Sequence, residues 1–428
     1  MDQEQDRSKN KMSQKKARHH DVRMRGFTRR ALVDDALSWV DTHAVTLAAE
    51  SIAFDCAHGR VLASAVRAEI DVPSFDRSAM DGYALRAAET EGAGDYNPIV
   101  LKVVGESLPG RPFLGDLPPG ATVRIMTGAP VPAAADAVLP AEYATEADDQ
   151  VEVTAAVSPG KHVGCRGEDV AAGNRLLAAG RRLRPQDVGL LASMGVTQVE
   201  AVRRPRVRLL ITGNELVRPG EPRGEFQIYE SNSSVLNSLL IRDGAELESL
   251  RRIEDDRESI RRGMVDSGAD LILVSGGSSV GSEDHAPSVL ADQGELAIHG
   301  IAMRPSSPAG MGRIGDTLVF LLPGNPVSCL CAYDFFAGRA IRLLGGRSAD
   351  WPYRRQEAEV ARKIVSAVGR VDYCRVRLDG GKVEPIALSG ASILSSTTRA
   401  DGFVIIPAEL EGYAPGTMVA VFLYEPPA

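Results

Sequence analysis

Apolar residues follow two different spacings in the first half of the chain. Between residues 32 and 40 they recur every three or four positions, which predicts an amphipathic helix. Between residues 97 and 156 the pattern changes to short apolar runs, such as IVLKVVGES and DAVLPAEYA, separated by turns rich in Pro and Gly. Helical spacing returns in RPQDVGLLASMGV, which begins at Arg184. These changes predict a β-rich domain at 66–159, inserted into an elongated helical connecting domain made of 26–65 and 160–203.

The second half of the chain alternates apolar strands with helical segments. RVRLLIT, ADLILVSGG and TLVFLLPG contain near-continuous runs of Val, Ile and Leu, which are typical of parallel strands buried on both faces. With helical segments between them, these runs predict a doubly wound parallel-sheet domain at 204–348. Short apolar runs separated by turns follow, and they predict a C-terminal β-barrel-like domain at 349–428. The predicted fold class is therefore multidomain α/β plus β.

Three loops follow the predicted parallel strands. They are TGNELVRPGEP at 212–222, SGGSSVGSEDH at 275–285 and LPGNP at 322–326. Because ligands bind at the carboxyl ends of such strands, we expect the three loops to lie side by side and form a binding site. In the third loop, Asn325 is suited to cap a helix that starts at Pro326, an interpretation that needs no ligand.

The second loop is rich in glycine and serine. Gly276, Gly277 and Gly281 allow backbone N–H groups to point inwards as an anion nest, and Ser278 and Ser279 add hydroxyl donors. The alternative is that these glycines only permit a tight turn. Because the loop follows a buried strand, phosphate binding is the better interpretation.

The same loop also matches the turn that carries the nucleophile of serine hydrolases. GSSVG fits the pattern G-x-S-x-G with Ser279 as the nucleophile. The later histidines are His285, six residues away, and His299 in a predicted strand, and neither suits the usual catalytic base. A serine hydrolase is therefore the weaker alternative. A zinc hydrolase is weaker still, because no histidines are paired at the spacing of zinc ligands.

Charge is distributed unevenly along the chain. Residues 1–30 contain ten Lys and Arg and four Asp and Glu, so the remaining residues carry 39 basic against 53 acidic side chains, a net charge of −14. We expect a disordered basic tail at 1–25, because it has almost nothing apolar to bury. The acidic body argues against nucleic acid as a partner.

No apolar run approaches the roughly 20 residues of a membrane span, so we expect no membrane partner and a cytoplasmic location.

The order of these segments resembles the molybdopterin molybdenumtransferase family, which includes MoeA and the E domain of gephyrin. The resemblance extends from about Gly26 to the C-terminus. It is carried by seven segments in order: FDRSAMDGYALR, VRIMTGAPVPAAADAVLPAE, RGEDVAAGNRLLAAGRRLRPQDVGLLASMGV, RPRVRLLITGNELV, ADLILVSGGSSVGSED, LPGNPVSC and LSGASILSSTTRADGFVIIP.

The resemblance implies a reaction and its partners. In that family the enzyme inserts molybdate into the dithiolene of adenylylated molybdopterin and releases AMP with the help of a divalent cation such as Mg²⁺. The resemblance also implies a homodimer whose active sites are shared between subunits, with molybdopterin adenylyltransferase as the donor of the pterin substrate.

Roles for individual residues follow from the same resemblance. Asp81 of SAMDGYA, Thr127 of MTGAP and Asp169 of RGED would form one catalytic patch, and Glu215 and Asp284 would act in the α/β domain. The residues implied to hold the pterin, its phosphate or the oxyanion are Ser275, Gly276, Gly277, Ser278, Ser279, Gly281, Arg304, Ser307, Pro323, Gly324, Asn325 and Pro326.

The many acids need an explanation, because the substrates are anions. Molybdate and a diphosphate ester repel carboxylates, so these side chains are better suited to hold hydrated Mg²⁺, which bridges phosphates. The metal ligands implied in this way are Glu215, Asp270 and Asp284, although an aspartate placed just before a strand, such as Asp270, is often only a turn residue.

Two positions depart from the family pattern. The usual TGDEL is TGNEL here, so Asn214 removes one potential metal ligand, and a KPGKP-like stretch is MRPSSP, with Arg304 and Ser307 at the lysine positions. A neutral serine binds an oxyanion less strongly than a charged lysine. The alternatives are therefore a paralogue that prefers tungstate, or a non-catalytic protein that binds molybdopterin or acts as a scaffold.

Overall fold

The computed structural model describes residue 27 and residues 29–265, 268–278, 284–387 and 390–424. The chain divides into two compact units, of which one consists of residues 51–201 and the other of the described parts of 1–50 and 202–428. Both units contain β-sheets, and the second also contains an α/β domain, so the predicted multidomain α/β plus β class is confirmed. None of the helices in the described ranges is both long and apolar enough to cross a membrane.

The helices of the described residues are short. A π-helical turn at Tyr333–Ala337 joins two of them, and three 3₁₀ turns lie at Phe54–Cys56, Ala87–Thr90 and Ala141–Tyr143. The α-helices are α1 (Val33–His43), α2 (Pro185–Ser193), α3 (Asn232–Asp243), α4 (Arg257–Val265), α5 (Ala286–Gln293), α6 (Pro326–Ala332), α7 (Gly338–Leu344) and α8 (Ser395–Thr398).

The first twelve strands run from Ala49 to Val202. They are β1 (Ala49–Ala53), β2 (Val66–Arg67), β3 (Arg77–Ser78), β4 (Gly82–Leu85), β5 (Ile99–Ser107), β6 (Ala121–Ile125), β7 (Ala137–Pro140), β8 (Ala144–Ala147), β9 (Gln150–Val153), β10 (Val163–Gly164), β11 (Arg175–Leu177) and β12 (Gln198–Val202). Six of them form a sheet in the order β7-β4-β6-β5-β9-β8, and β5 coincides with the predicted run IVLKVVGES.

Strand β4 lies inside this sheet and is buried along its whole length. It begins at Gly82, where a Cβ atom would lie only 1.9 Å from the carbonyl oxygen of Leu139 on β7. The sheet therefore requires glycine at this position, which explains Gly82 of SAMDGYA in structural terms.

The predicted connecting domain is less helical than its spacing suggested. Strands β2 and β11 pair with each other, as do β3 and β10, and α2 is the one α-helix of the described residues 51–201. Helix α1 belongs to the other unit, because its apolar face of Val33, Ala36 and Val40 packs into the core that contains Phe336. The periodicity placed Ala36 and Val40 on the buried face, as observed, but Leu32 at its start is 56% exposed, and the pattern could not identify the partner of the buried face.

Asp187 in the first turn of α2 offers a test of stability. It is 4% exposed and accepts hydrogen bonds from Arg181 Nη2 at 2.8 Å and from the backbone N–H of Arg184 at 2.9 Å. The Arg181 guanidinium holds the pKa of Asp187 well below its usual value, so the charged carboxylate stabilises the fold. We expect Asp187→Asn to lower the free energy of unfolding by about 2 kcal/mol at pH 7.

The sign of the pH dependence follows from that lowered pKa. The contribution of Asp187 is complete above the unfolded carboxyl pKa of about 4, and it is lost as the pH falls towards the folded value. Urea unfolding of wild type and Asp187→Asn should therefore differ most at pH 7, and the difference should become progressively smaller as the pH falls below about 4. Asp149→Asn, which changes an exposed carboxylate of the same unit, serves as the control and should have little effect at either pH. A constant difference at all pH values would contradict the assignment.

The remaining strands build the α/β and C-terminal domains. They are β13 (Arg206–Thr212), β14 (Leu216–Val217), β15 (Ile228–Tyr229), β16 (Glu246–Ile253), β17 (Leu271–Ser275), β18 (Glu295–His299), β19 (Met303–Arg304), β20 (Gly310–Ile314), β21 (Thr317–Leu322), β22 (Arg354–Val360), β23 (Ile364–Val365), β24 (Val371–Asp379), β25 (Lys382–Ala387), β26 (Gly402–Ile406), β27 (Gly412–Tyr413) and β28 (Met418–Leu423).

The α/β domain has a six-stranded sheet in the order β16-β13-β17-β21-β20-β18. The first four strands are parallel, and β20 and β18 are antiparallel additions at one side. Alternate residues of β17 enter different cores, since Leu271 and Leu273 pack with α3 and α6 while Ile272 and Val274 pack with α4 and α5. Helices therefore cover both faces, as a doubly wound sheet requires.

The C-terminal strands close into a ring. Strand β24 pairs with β25, β25 with β22, β22 with β28, β28 with β26, and β26 again with β24. The inward residues of this ring, which include Val360, Val376 and Val421, form a separate hydrophobic core. This closure confirms the predicted barrel-like arrangement.

Candidate functional site

A cavity of about 650 Å³ lies at the carboxyl ends of β13, β17 and β21. Its walls include Thr212 at the end of β13, Ser275 at the end of β17 and Pro323 just after β21. The three strand-end loops therefore do lie side by side, in the position where doubly wound sheets bind ligands. Residues of the C-terminal domain also reach the cavity, since Ser392 lies on its wall.

The glycine loop packs closely on the end of β13. Gly276 has φ = +99°, and a Cβ atom there would lie 2.4 Å from the carbonyl oxygen of Thr212. The Gly276 N–H donates to the Leu322 carbonyl oxygen at 3.2 Å, and the Ser278 hydroxyl donates to the same oxygen at 3.1 Å. These two donors hold the loop against β21 instead of pointing to an anion. The predicted anion nest therefore has fewer donors than the sequence suggested. Ser279 and Gly281 lie outside the described residues.

Asn232 joins two of the loops and was missed in the sequence. It stands at the start of α3 with 9% of its surface exposed, and its Nδ2 donates to Ser275 Oγ at 2.9 Å and to the Gly324 carbonyl oxygen at 2.8 Å. One amide group therefore sets the spacing between the loops after β17 and β21. No motif marks this residue in the sequence, because an asparagine at a helix start usually only caps the helix.

The cavity wall is acidic. It includes the carboxylates of Glu215, Glu230, Asp255 and Asp284, and no Lys or Arg is among the described residues that line it. Glu230 is 2% exposed and accepts the backbone N–H of Ser233 at 2.7 Å, so its carboxylate serves the start of α3. The other three acids are the candidates for ligand chemistry.

Asp255 is a site residue that sequence reasoning missed. It follows the carboxyl end of β16, and its backbone N–H donates to Asn214 Oδ1 at 3.4 Å. Its Oδ1 atom and the Oγ1 atom of Thr212 are both buried, and neither has a hydrogen-bond partner within the described residues. Both atoms lie beside Gly277, because a Cβ there would be 3.7 Å from Asp255 Oδ1 and 3.1 Å from Thr212 Oγ1. Two buried oxygens without partners in one place make this part of the cavity a candidate position for a ligand.

Asp270 was predicted to be a metal ligand, and the structure corrects this prediction. It directly precedes β17, so it lies at the amino end of the sheet, whereas the cavity lies at the carboxyl end. Arg203 donates to both of its carboxylate oxygens, at 2.7 and 2.8 Å, and the Arg206 N–H donates to it at 2.8 Å. These bonds give Asp270 a structural role in joining the segment before β13 to β17.

The LPGNP loop occupies the position that the sequence suggested. Pro323, Gly324, Asn325 and Pro326 all line the cavity. Asn325 is the N-cap residue of α6, but its side chain makes no capping hydrogen bond. The alternative explanation for Asn325 was that its side chain caps the helix that starts at Pro326. Because that hydrogen bond is not made, the Asn325 amide lines the cavity without a capping role.

Arg304 and Ser307 do not line this cavity, although Pro308 next to them does. The Arg304 guanidinium forms an ion pair with Asp372, whose carboxylate is fully buried. The Ser307 hydroxyl is also buried, and the part of the chain that the structure describes provides no hydrogen-bond partner for it. Their predicted contact with an oxyanion stays a proposal.

A second polar patch lies in the 51–201 unit. Asp81 comes just before β4, Thr127 follows β6, and these two strands are antiparallel neighbours. The backbone N–H and the hydroxyl of Thr127 donate to Asp81 Oδ1 at 2.7 and 2.8 Å. These bonds hold the pKa of the exposed Asp81 below its usual value, so it is a carboxylate at neutral pH.

Asp169 lies on a loop that bonds to the segment before Asp81. Its backbone N–H donates to the Val72 carbonyl oxygen at 3.1 Å, and its own side chain is exposed. Arg166 on this loop donates from its Nε to Asp71 at 2.6 Å and from its backbone N–H to Asp76 at 2.7 Å. The structure thus brings Asp81 and Thr127 into direct contact and attaches the Asp169 loop to the same region.

Comparison with known families covers most of the chain. Residues 31–195 match "MoeA N-terminal region (domain I and II)", residues 208–342 match "Probable molybdopterin binding domain", and residues 357–424 match "MoeA C-terminal region (domain IV)".

Individual relatives are similar over nearly their whole length. Molybdopterin molybdenumtransferase 2 of Mycobacterium tuberculosis is 36% identical over 380 residues, which covers 86% of this chain and 93% of that protein. The molybdopterin molybdenumtransferase of Haemophilus influenzae is 32% identical over 374 residues, covering 85% and 91%. The crystal structure of the molybdopterin biosynthesis MoeA protein from Pyrococcus horikoshii superposes with a TM-score of 0.80 at 31% identity, covering 93% of this chain and all of that one.

Proposed function

The chain belongs to the molybdopterin molybdenumtransferase (MoeA) family, and from that premise we propose that it inserts molybdate into adenylylated molybdopterin and releases AMP. The observation that carries this proposal is the cavity at the carboxyl edge of the parallel sheet. It is large enough for a nucleotide-sized ligand, it is lined by acids, and it contains the two orphaned oxygens of Thr212 and Asp255.

The donor set fits a hard divalent cation such as Mg²⁺. The described residues contain no cluster of three or more His, Cys, Asp or Glu side chains that could hold a metal by themselves. Mg²⁺ commonly binds through one or two carboxylates together with waters and substrate phosphates, so a preformed cage is not required. One or two of the carboxylates of Glu215, Asp255 and Asp284 would hold it together with waters and substrate phosphates, and it would supply the positive charge that anionic substrates need in an acidic cavity.

The side chains of the cavity orient the substrate. Asn232 fixes the spacing of the loops after β17 and β21, and Gly276 lets the first of these loops approach β13 without a side chain in the way. The amide of Asn325 can donate a hydrogen bond to a phosphate or pterin oxygen, because it is not used for capping. With the loops fixed in this way, the Asn325 amide would help to hold the substrate in one orientation.

The Asp81–Thr127 pair supplies the other half of the proposed site. In the proposed assembly the protein is a homodimer, and the Asp81–Thr127 patch of one subunit faces the cavity of the second subunit. Two-fold symmetry then produces two equal clefts, each with residues from both copies. The pterin substrate would come from a molybdopterin adenylyltransferase.

The direct test is AMP release from adenylylated molybdopterin with molybdate and Mg²⁺. We expect release that requires both components and that is slower when tungstate replaces molybdate. Faster release with tungstate would indicate a tungstate-preferring paralogue. Tight pterin binding without AMP release under any of these conditions would indicate a scaffold and would contradict the proposal.

Asp284→Asn tests the role of the carboxylates in the cavity. The substitution keeps the size of the side chain and removes its charge, so we expect half-maximal AMP release to require about tenfold more Mg²⁺. Asp316→Asn removes a charge from the turn between β20 and β21, away from the cavity wall, and should leave the Mg²⁺ dependence unchanged. Identical Mg²⁺ curves for wild type and Asp284→Asn would exclude Asp284 from the metal site.

A further inference from the structure

A second concave surface lies on the α/β domain, between strand β16 and helix α4. This groove has a volume of about 460 Å³ and shares no lining residue with the cavity at the strand ends. Three of its seven lining residues are arginines, namely Arg251, Arg261 and Arg262. A basic groove is unexpected on a body whose net charge is −14, and the proposed reaction does not use it.

The arginines of this groove are only partly neutralised. Glu258 accepts two hydrogen bonds from Arg261, at 2.7 and 2.8 Å, and lies 3.8 Å from Arg262 Nε, so one carboxylate serves two guanidinium groups. The structure gives the guanidinium of Arg251 no hydrogen bond or salt bridge with the described residues, although this side chain is partly buried. An uncommitted guanidinium in a groove is suited to bind a carboxylate.

The acids nearest to these arginines have other partners. Glu248 on β16 accepts a hydrogen bond from the buried Arg208 at 3.1 Å, which is the main cause of its lowered pKa. Asp256 accepts the backbone N–H groups of Glu258 and Ser259 at the start of α4, each at 2.9 Å. In and beside the groove, four positive side chains therefore face three negative ones. The positive side chains are Arg208, Arg251, Arg261 and Arg262, and the negative ones are Glu248, Glu258 and Asp256. The groove keeps a net positive charge.

The groove runs along the edge of the sheet. Strand β16 pairs only with β13 and is the outermost strand of the six in the described sheet. None of its eight residues is fully buried, whereas six of the seven residues of β13 are. Leu250, which the alternation of the strand places on the face opposite Arg251, is 41% exposed. An edge strand without proline and with an exposed leucine is a template for another strand.

We propose that this edge binds an extended acidic segment of a partner protein as an added β-strand. The backbone of the segment pairs with the free side of β16, its acidic side chains enter the groove at Arg251, Arg261 and Arg262, and its alternate apolar side chains cover Leu250. Main-chain pairing gives such complexes their affinity, and the alternating side chains give them their specificity. The segment is therefore acidic at every second position and apolar between.

A peptide probe tests this interaction on the full chain. The probe is a fluorescein-labelled peptide of alternating glutamate and valine, with the eight-residue length of β16. Fluorescence anisotropy at low salt should detect its binding, and Arg251→Glu should weaken that binding about tenfold through like-charge repulsion. Arg313→Glu reverses the charge of an exposed arginine on β20 and should change the affinity less than twofold.

Two further measurements separate strand addition from simple charge attraction. A peptide with the same composition, but with its glutamates and valines in two blocks, should bind several-fold more weakly, and Leu250→Ser should weaken the alternating peptide. Equal binding of both peptides, or no effect of Arg251→Glu, would overturn the proposal. A change in the oligomeric state of Arg251→Glu, measured by sedimentation, would also overturn it, because the edge would then bind a second copy of this chain. AMP release is measured separately and should be the same in Arg251→Glu and wild type.

Discussion

A mixture of the Asp81→Ala and Asp284→Ala proteins should recover about a quarter of wild-type AMP release after the subunits have exchanged. Each variant alone should be inactive, because both of its clefts carry the same lesion. In a mixed dimer, one cleft carries both lesions and the other carries neither. Half of the dimers are mixed after random exchange, and each has one intact cleft of two.

The matched control combines two lesions in the same patch. In a mixture of Asp81→Ala and Asp169→Ala, every cleft contains one altered residue, so no activity should return. Exchange is confirmed by mass spectrometry of differently labelled subunits. If exchange is complete and the first mixture stays at the level of its parents, the site lies within single subunits and the shared-site proposal is wrong.

Gly276→Ala should reduce AMP release about 100-fold, because it displaces the loop that shapes the cavity. The added Cβ would lie 2.4 Å from the Thr212 carbonyl oxygen, and the residue would have to keep a backbone φ of +99° that alanine rarely adopts. The loop must therefore move away from β13, which also changes the surroundings of Ser278.

Gly268→Ala is the matched control for this substitution. Gly268 precedes β17 on the same segment, and a Cβ atom there would meet nothing within 4 Å. We expect wild-type activity for this variant and an unchanged thermal unfolding curve. Thermal unfolding of Gly276→Ala shows whether the protein is still folded. A folded Gly276→Ala protein with wild-type kinetics would mean that the tight approach of this loop to β13 is not needed for catalysis.

Strand positions in the α/β domain could be predicted because burial on both faces leaves a simple signal. Strand β13 coincides with the run RVRLLIT, and the loops after β13, β17 and β21 line one cavity as expected. The assignment of α1 was less accurate. An amphipathic helix shows which of its faces is buried, but not which domain covers that face.

The acids of the site show more specifically how far the sequence can predict site residues. Asp270 and Asp255 are both aspartates next to a strand, but Asp270 precedes β17 whereas Asp255 follows β16. Because ligands bind at carboxyl ends, the direction of the chain already favours Asp255. The role of Asn232 could not be predicted, since its two hydrogen bonds join residues 43 and 92 positions away in sequence. Long-range bonds of this kind leave no local pattern.

The ring of strands in the C-terminal domain affects how the protein is made. Strand β28 at Met418–Leu423 bonds to β22 on one side and to β26 on the other, so the ring stays open until these residues are present. On the ribosome the 51–201 unit can fold while later residues are still being added, but the barrel has to wait for β28. A nonsense mutation between codons 407 and 417, after β26 and before β28, would leave the edges of β22 and β26 open for the rest of the life of the chain. Such a truncated product should aggregate or be degraded, even though every residue of the proposed cavity has been translated.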